Sequence, residues 1–184
     1  MATRDLALFL HILSLLAAIG LAGILHAAEW QARSATTIGE LRTLSRPYAW
    51  GKLFPLFILL LLGTGGWLLH LRKTAFEFSD PWIWTATASL VILAVSGGAI
   101  LSRHAKRYRE LLAQTPDGPI TPDVRAAAFD RTAWATSHLN TGLALSVVYN
   151  MVSKPDDAAT AITVNVIGFV VGAAIGLVGA RGRG

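Results

Sequence analysis

A chain of 184 residues with 53% apolar and only 15% charged residues is far poorer in charge than a soluble domain, where about a quarter of residues carry charge. With no cysteine, disulfides, thiolate metal sites and thiol nucleophiles are excluded. The formal charge of +5 comes without the Lys/Arg run and interleaved aromatics of a nucleic-acid interface, so no nucleic-acid partner is expected.

Five hydrophobic helices are predicted, which makes the fold class an all-α polytopic transmembrane bundle. The first, Leu6–Ala28, is 23 residues without Asp, Glu, Lys or Arg, long enough for a bilayer core of ~30 Å at ~1.5 Å per residue. Its apolar run is too long for a signal peptide, and no small-x-small cleavage site precedes Glu29. A cytoplasmic amphipathic segment is expected next, with Ile38, Leu41 and Leu44 at helical spacing and Pro47 ending it. The second span is Trp50–Leu71 and the third Trp82–Leu101, with a helical extension over Ser102–Gln114. The stretch TPDGPITPD (115–123) reads as turn or loop. The fourth span, Phe129–Met151, carries Thr132, Thr136, Ser137, His138, Asn140 and Thr141. Lipid does not tolerate that row, so the span is expected to be surrounded by other helices. The alternative is an amphipathic surface helix. The fifth span is Ala158–Ala180.

Charge sets the orientation. Twelve basic residues fall in the loops after spans one and three, at the start of span four and in the tail: Arg33, Arg42, Arg46, Lys52, Arg103, Lys106, Arg107, Arg109, Arg125, Arg131, Arg181 and Arg183. Four fall on the other side: Arg4, Arg72, Lys73 and Lys154. The excess of positive charge inside predicts an external N-terminus and a cytoplasmic C-terminus. Trp30, Trp50 and Trp134 at one end and Trp67, Trp82 and Trp84 at the other read as aromatic belts.

Ionisable residues within spans default to a functional hypothesis. His11 and His70 are predicted on the outer side, and His138 in the middle of span four; His70, beside Arg72, also reads as interfacial, as do His26 and His104. Facing helices with histidines suit a heme or metal site. His11, His70 and His138 are the cofactor-binding candidates, for heme b, with His11 the best ligand. A proton relay through Asp130 and His138 is a further, weaker reading. In span five, Gly168, Gly172 and Gly176 form a GxxxGxxxG ridge that lets backbones approach closely. Its partner is either another span or a second protomer. No P-loop, GxSxG or HExxH motif is present.

The opening LFLHILSLLAAIGLAG, with His11 and Gly20, resembles the first helix of a bacterial family of predicted integral membrane proteins, a domain of unknown function. FSDPWIW (78–84) and MVSKP (151–155) resemble the same family, before its third helix and at the end of its fourth. The resemblance implies a four-helix membrane domain over 1–155, with 156–184 an additional helix and short basic tail. The family is similar in turn to the copper resistance protein D membrane domain and to the four-helix membrane protoporphyrinogen oxidase. In that oxidase a first-helix histidine, matching His11, is implicated in heme binding with a third-helix lysine; here no lysine lies between Lys73 and Lys106.

The expectation is a small heme-binding or redox-associated protein of a bacterial inner membrane. Two alternatives belong to other classes. One is a non-catalytic subunit packing in a larger membrane complex or homo-oligomer through span five. The other is a small transporter-like protein using span four.

Overall fold

The computed structural model describes residues 3–71 and 76–181. Arg72, Lys73 and Arg183, which entered the charge reading, lie outside the described residues. Among the described residues eight α-helices follow one another: α1 (Thr3–Ala32), α2 (Ile38–Leu44), α3 (Phe54–His70), α4 (Pro81–Ser96), α5 (Ser102–Gln114), α6 (Pro122–Ala128), α7 (Arg131–Ser153) and α8 (Ala158–Gly179). A 3₁₀ segment, Arg46–Leu53, leads into α3, and a π-helical segment, Gly97–Leu101, joins α4 to α5. The described residues contain no strand, only an isolated bridge between Thr37 and Pro119.

Four helical stretches among the described residues are long and apolar enough to cross a membrane: Thr3–Ala32, Ile38–His70, Pro81–Gln114 and Ala158–Gly179. The fourth expected span, now α7, is not among them, because its polar row lowers its hydropathy. Packing explains how that row is accommodated. Gly142 of α7 lies against Gly168 of α8, His138 against Gly172, and Trp134 against Gly176. Position numbers fall on one helix as they rise on the other, so α7 and α8 are antiparallel along nearly their whole lengths. At 23 residues, α7 is ~34 Å long and runs beside a span. Its polar groups turn onto neighbouring helices. The Ser96 hydroxyl of α4 donates to the Asn140 side-chain oxygen at 2.8 Å. Asn150, fully buried, donates to the Ala161 carbonyl at 3.0 Å and to Asn165 at 3.2 Å. This is an interior helix and not an amphipathic surface one.

The hairpin is defined locally. The Asp130 carboxylate accepts from the Ala133 N–H at 2.8 Å and caps α7; Asp157 accepts from Thr160 at 2.8 Å and caps α8. That cap is the structural role found for Asp130. Lys154, at φ 46°, closes α7 in the left-handed conformation, and Pro155 follows. The family resemblance ended at residue 155, yet α8 is packed into the same bundle. Its glycine ridge is filled by α7 of the same chain. Of the two partners left open for the Gly168–Gly172–Gly176 ridge, the structure shows another span of the same chain. The opposite face, with Val166, Phe169 and Val170, is exposed apolar surface.

The two basic loops dock on each other at one end of the bundle. Thr37 caps α2 with a reciprocal Glu40 box. The N–H groups of Thr36 and Thr37 reach the Glu40 carboxylate and hold it below the usual carboxylate range. Arg42 donates to Asp117 at 2.7 Å and to the Leu112 and Thr115 carbonyls at 3.1 and 2.9 Å. Ile38, Leu41, Tyr108, Leu112 and Val124 form a core beneath, continuous with Phe129 and Trp134. Trp134 is therefore interior, 3% exposed, with its indole N–H donating to the Ala128 carbonyl at 2.9 Å. It does not belong to an interfacial belt.

Candidate functional site

The ionisable groups inside the bundle gather where α1 meets α7, next to this docked end. On α1, His26 and Glu29 lie three residues apart and so share a helix face. The His26 Nδ1 donates to the Glu29 carboxylate at 2.8 Å. From α7, the Ser137 hydroxyl donates to the other carboxylate oxygen at 2.9 Å. The Thr141 hydroxyl stands 2.6 Å from His26 Nε2, and His138 Nδ1 is 3.7 Å from Glu29. His138 and Glu29 are buried, and His26 is half-buried.

Protonation follows from the partners. A carbonyl oxygen only accepts, so His138 Nδ1, 3.1 Å from the Trp134 carbonyl, carries the proton there. The lone pair of the neutral ring is then on Nε2, which is buried with no hydrogen-bond partner among the described residues. His26, giving its Nδ1 proton to Glu29, has Nε2 to accept from Thr141. One donor atom from each of His26, Glu29 and His138 lies within 4.8 Å of the other two. Aromatic rings wall the cluster. Trp134 stacks on His138 at 5.5 Å and 10°, and the His26 and His138 ring centroids are 4.2 Å apart. On the docked side, burial raises the Tyr48 phenol above its ordinary pKa, and the Glu29 charge adds in the same sense.

Only His138 of the three expected ligands belongs to this cluster. His11 precedes His26 by ~22 Å along α1. Its Nδ1 donates to the Thr64 hydroxyl at 3.0 Å, and Thr64 passes its own proton to the Leu60 carbonyl. A Cβ placed on Gly65 would be 3.5 Å from the His11 ring, so α3 fills the space beside it. His70 is exposed at the end of α3, ~9 Å along the helix from Thr64. The His26 and His138 rings, with centroids 4.2 Å apart, are too close to admit a macrocycle between them. The sequence reasoning missed Glu29 and took His26 as interfacial. The signal was present: His26 and Glu29 are an i,i+3 polar pair at the end of an apolar run, and His138 and Thr141 are another such pair within the polar row of α7.

Beside the cluster a groove of about 580 Å³ runs between α1, α7 and α8. His26, Trp30, His138 and Thr141 line one end. Leu145, Tyr149, Val164, Ile167 and Val171 line the rest. Several of these are exposed, on faces that meet hydrocarbon in a bilayer.

Apolar helices packed as an all-α bundle, their polar side chains turned onto one another, define a polytopic integral membrane protein. The chain belongs to the family described as Predicted integral membrane protein (DUF2269), whose model matches residues 5–155. The match takes in α1 to α7 and ends before α8. No curated protein and no solved structure matches the chain.

Proposed function

We propose that this chain is a redox-associated protein of a bacterial inner membrane that holds one divalent first-row transition-metal ion among His26, Glu29 and His138. The observation that carries the reading is the convergence of two imidazoles and a carboxylate inside the bundle. A buried ionisable cluster in a membrane is expensive to maintain and defaults to function. The backbone carbonyl of Trp134 holds His138 in the neutral tautomer with a free Nε2, which is how ligating histidines are prepared. Two imidazoles and a carboxylate without sulfur suit a divalent iron, copper or zinc-class ion rather than Cu(I). The ion would take the place of the proton between His26 Nδ1 and Glu29, and that proton would move to His26 Nε2, which then donates to Thr141. Ser137 and Thr141 would orient the carboxylate and the His26 ring.

Purified protein titrated with Co²⁺, whose ligand-field bands report coordination, tests this. The native chain is expected to take up one equivalent. His138→Ala and Glu29→Gln should each weaken binding by about 100-fold or more, because the sites leave too few ligands, while His104→Ala binds normally. Equal uptake by native protein and His138→Ala overturns the metal. A Soret band lost in His11→Ala would return the reading to heme at His11.

The twelve-to-four charge split supports a cytoplasmic position for the docked loops, and with them the cluster, with the N-terminus outside. Reporter fusions at Ala35 and at Ser79 should therefore be cytoplasmic and external respectively. The reverse pattern would move the cluster to the outer leaflet.

A further inference from the structure

We infer that the groove between α1, α7 and α8 takes a lipid-soluble quinone, with its ring beside His26, His138 and Thr141 and its tail along α8. The inference rests on these residues being the functional centre, as proposed above, and adds the class of molecule that reaches them. Four features of the groove select that class.

The first is the distribution of polarity. The polar side chains His26, His138 and Thr141 gather at one end. Farther along, the Ser146 hydroxyl is committed to the Gly142 carbonyl at 3.0 Å, and the remaining wall is aliphatic apart from Tyr149. The occupant is thus polar at one tip and apolar elsewhere. The second is flatness. Trp30, His26 and His138 present rings at the polar end, with Trp30 and His138 edge-on at 6.2 Å, so the tip is met by surfaces suited to a planar ring.

The third is hydrogen-bond character. Thr141 and His26 Nε2, 2.6 Å apart, form one donor and one acceptor. With Nδ1 on the ion, Nε2 carries the ring proton: a quinone carbonyl accepts a hydrogen bond from His26 Nε2, and a quinol hydroxyl donates one to the Thr141 oxygen. Both oxidation states of one ring find a partner. The fourth is charge. The lining holds no lysine or arginine. The nearby Arg33 is stacked over Trp30 at 4.7 Å, and Glu29 lies behind the two histidines. A phosphate headgroup would meet a carboxylate in place of a cation. The volume of about 580 Å³ falls within the ~300–1,000 Å³ of small-molecule sites, and the exposed flank of Leu145 and Ile167 gives entry from the bilayer.

The test uses the full chain in lipid nanodiscs, labelled with a photoreactive azido-benzoquinone carrying a ten-carbon tail and mapped by peptide mass spectrometry. Label is expected on α7 or α8 between 138 and 175, displaced by decylubiquinone and its quinol alike, and not by decylbenzene, which lacks the oxygens. Thr141→Val should weaken competition by about 10-fold, the value of one buried hydrogen bond. Leu145→Trp, on the exposed flank, should block labelling while leaving Co²⁺ uptake intact. Displacement by decylbenzene as effective as by decylubiquinone, or undiminished label in Leu145→Trp, overturns the inference and leaves an acyl-chain groove. Co²⁺ uptake without quinone labelling defeats this inference alone. Labelling without Co²⁺ uptake defeats only the metal.

Discussion

Gly172→Leu is expected to abolish a stably folded bundle, and Gly172→Ala to destabilise it by about 3 kcal/mol, at the upper end of ordinary overpacking. A Cβ at Gly172 would fall on the His138 carbonyl and 2.9 Å from the Leu139 Cα. Those are backbone atoms, which no rotamer change moves aside. The helices must separate, and the same register is repeated at Gly168 and Gly176, so relief at one point strains the next. Close backbone approach is the main source of helix association in lipid. Thermal unfolding in detergent, followed by circular dichroism alongside size-exclusion chromatography, checks this. Native-like stability in Gly172→Leu with a changed oligomeric state would mean that the ridge serves a second copy after all.

The second large effect is expected at Trp134. Trp134→Ala should cost about 3–5 kcal/mol, as for other large-to-small aromatic truncations in a core. The ring touches three regions at once. It meets Phe129 at 5.9 Å, Trp30 at 5.8 Å and His138 at 5.5 Å, and Gly179 of α8 leaves room for its six-membered edge. Trp134→Phe keeps most of the volume and loses the bond to the Ala128 carbonyl, for about 1 kcal/mol. Co²⁺ affinity should fall in Trp134→Ala with stability, since the ring that braces His138 is gone. A loss under ~1 kcal/mol in the same melting experiment would show that the docked end and the bundle fold independently.

How far the fold was legible follows from which interactions are local. The apolar runs of α1, α3 and α8 are composition, and they are where the predicted spans lie to within a few residues. Most of the polar row on α7 is buried or half-buried, Thr132 at its start being exposed, and the same row concealed the helix from a hydropathy criterion. What stayed hidden was pairing over long separations. Thr37 meets Pro119, Arg42 meets Asp117, and His26 meets Thr141, and no periodicity encodes those meetings. The docked loops and the true neighbours of His138 were invisible for that reason. His26 was misplaced because a histidine near a span end is usually solvated, and its i+3 Glu29 looked like the start of the loop. The π-helical segment Gly97–Leu101 left no trace beyond its two glycines.

The cluster draws on the two ends of the chain's history. His26 and Glu29 on α1 are made before His138, which arrives only when the α7–α8 hairpin is inserted. α1 and α7 otherwise touch over a short stretch, far less than α7 touches α8. An ion or small molecule gripped by both acts as a late rivet. At a hundred times its dissociation constant it adds about 2.7 kcal/mol to the finished assembly and nothing to the half-made one. Supply of that ligand would thereby control how much of the newly made protein survives quality control, and not only what the survivors do.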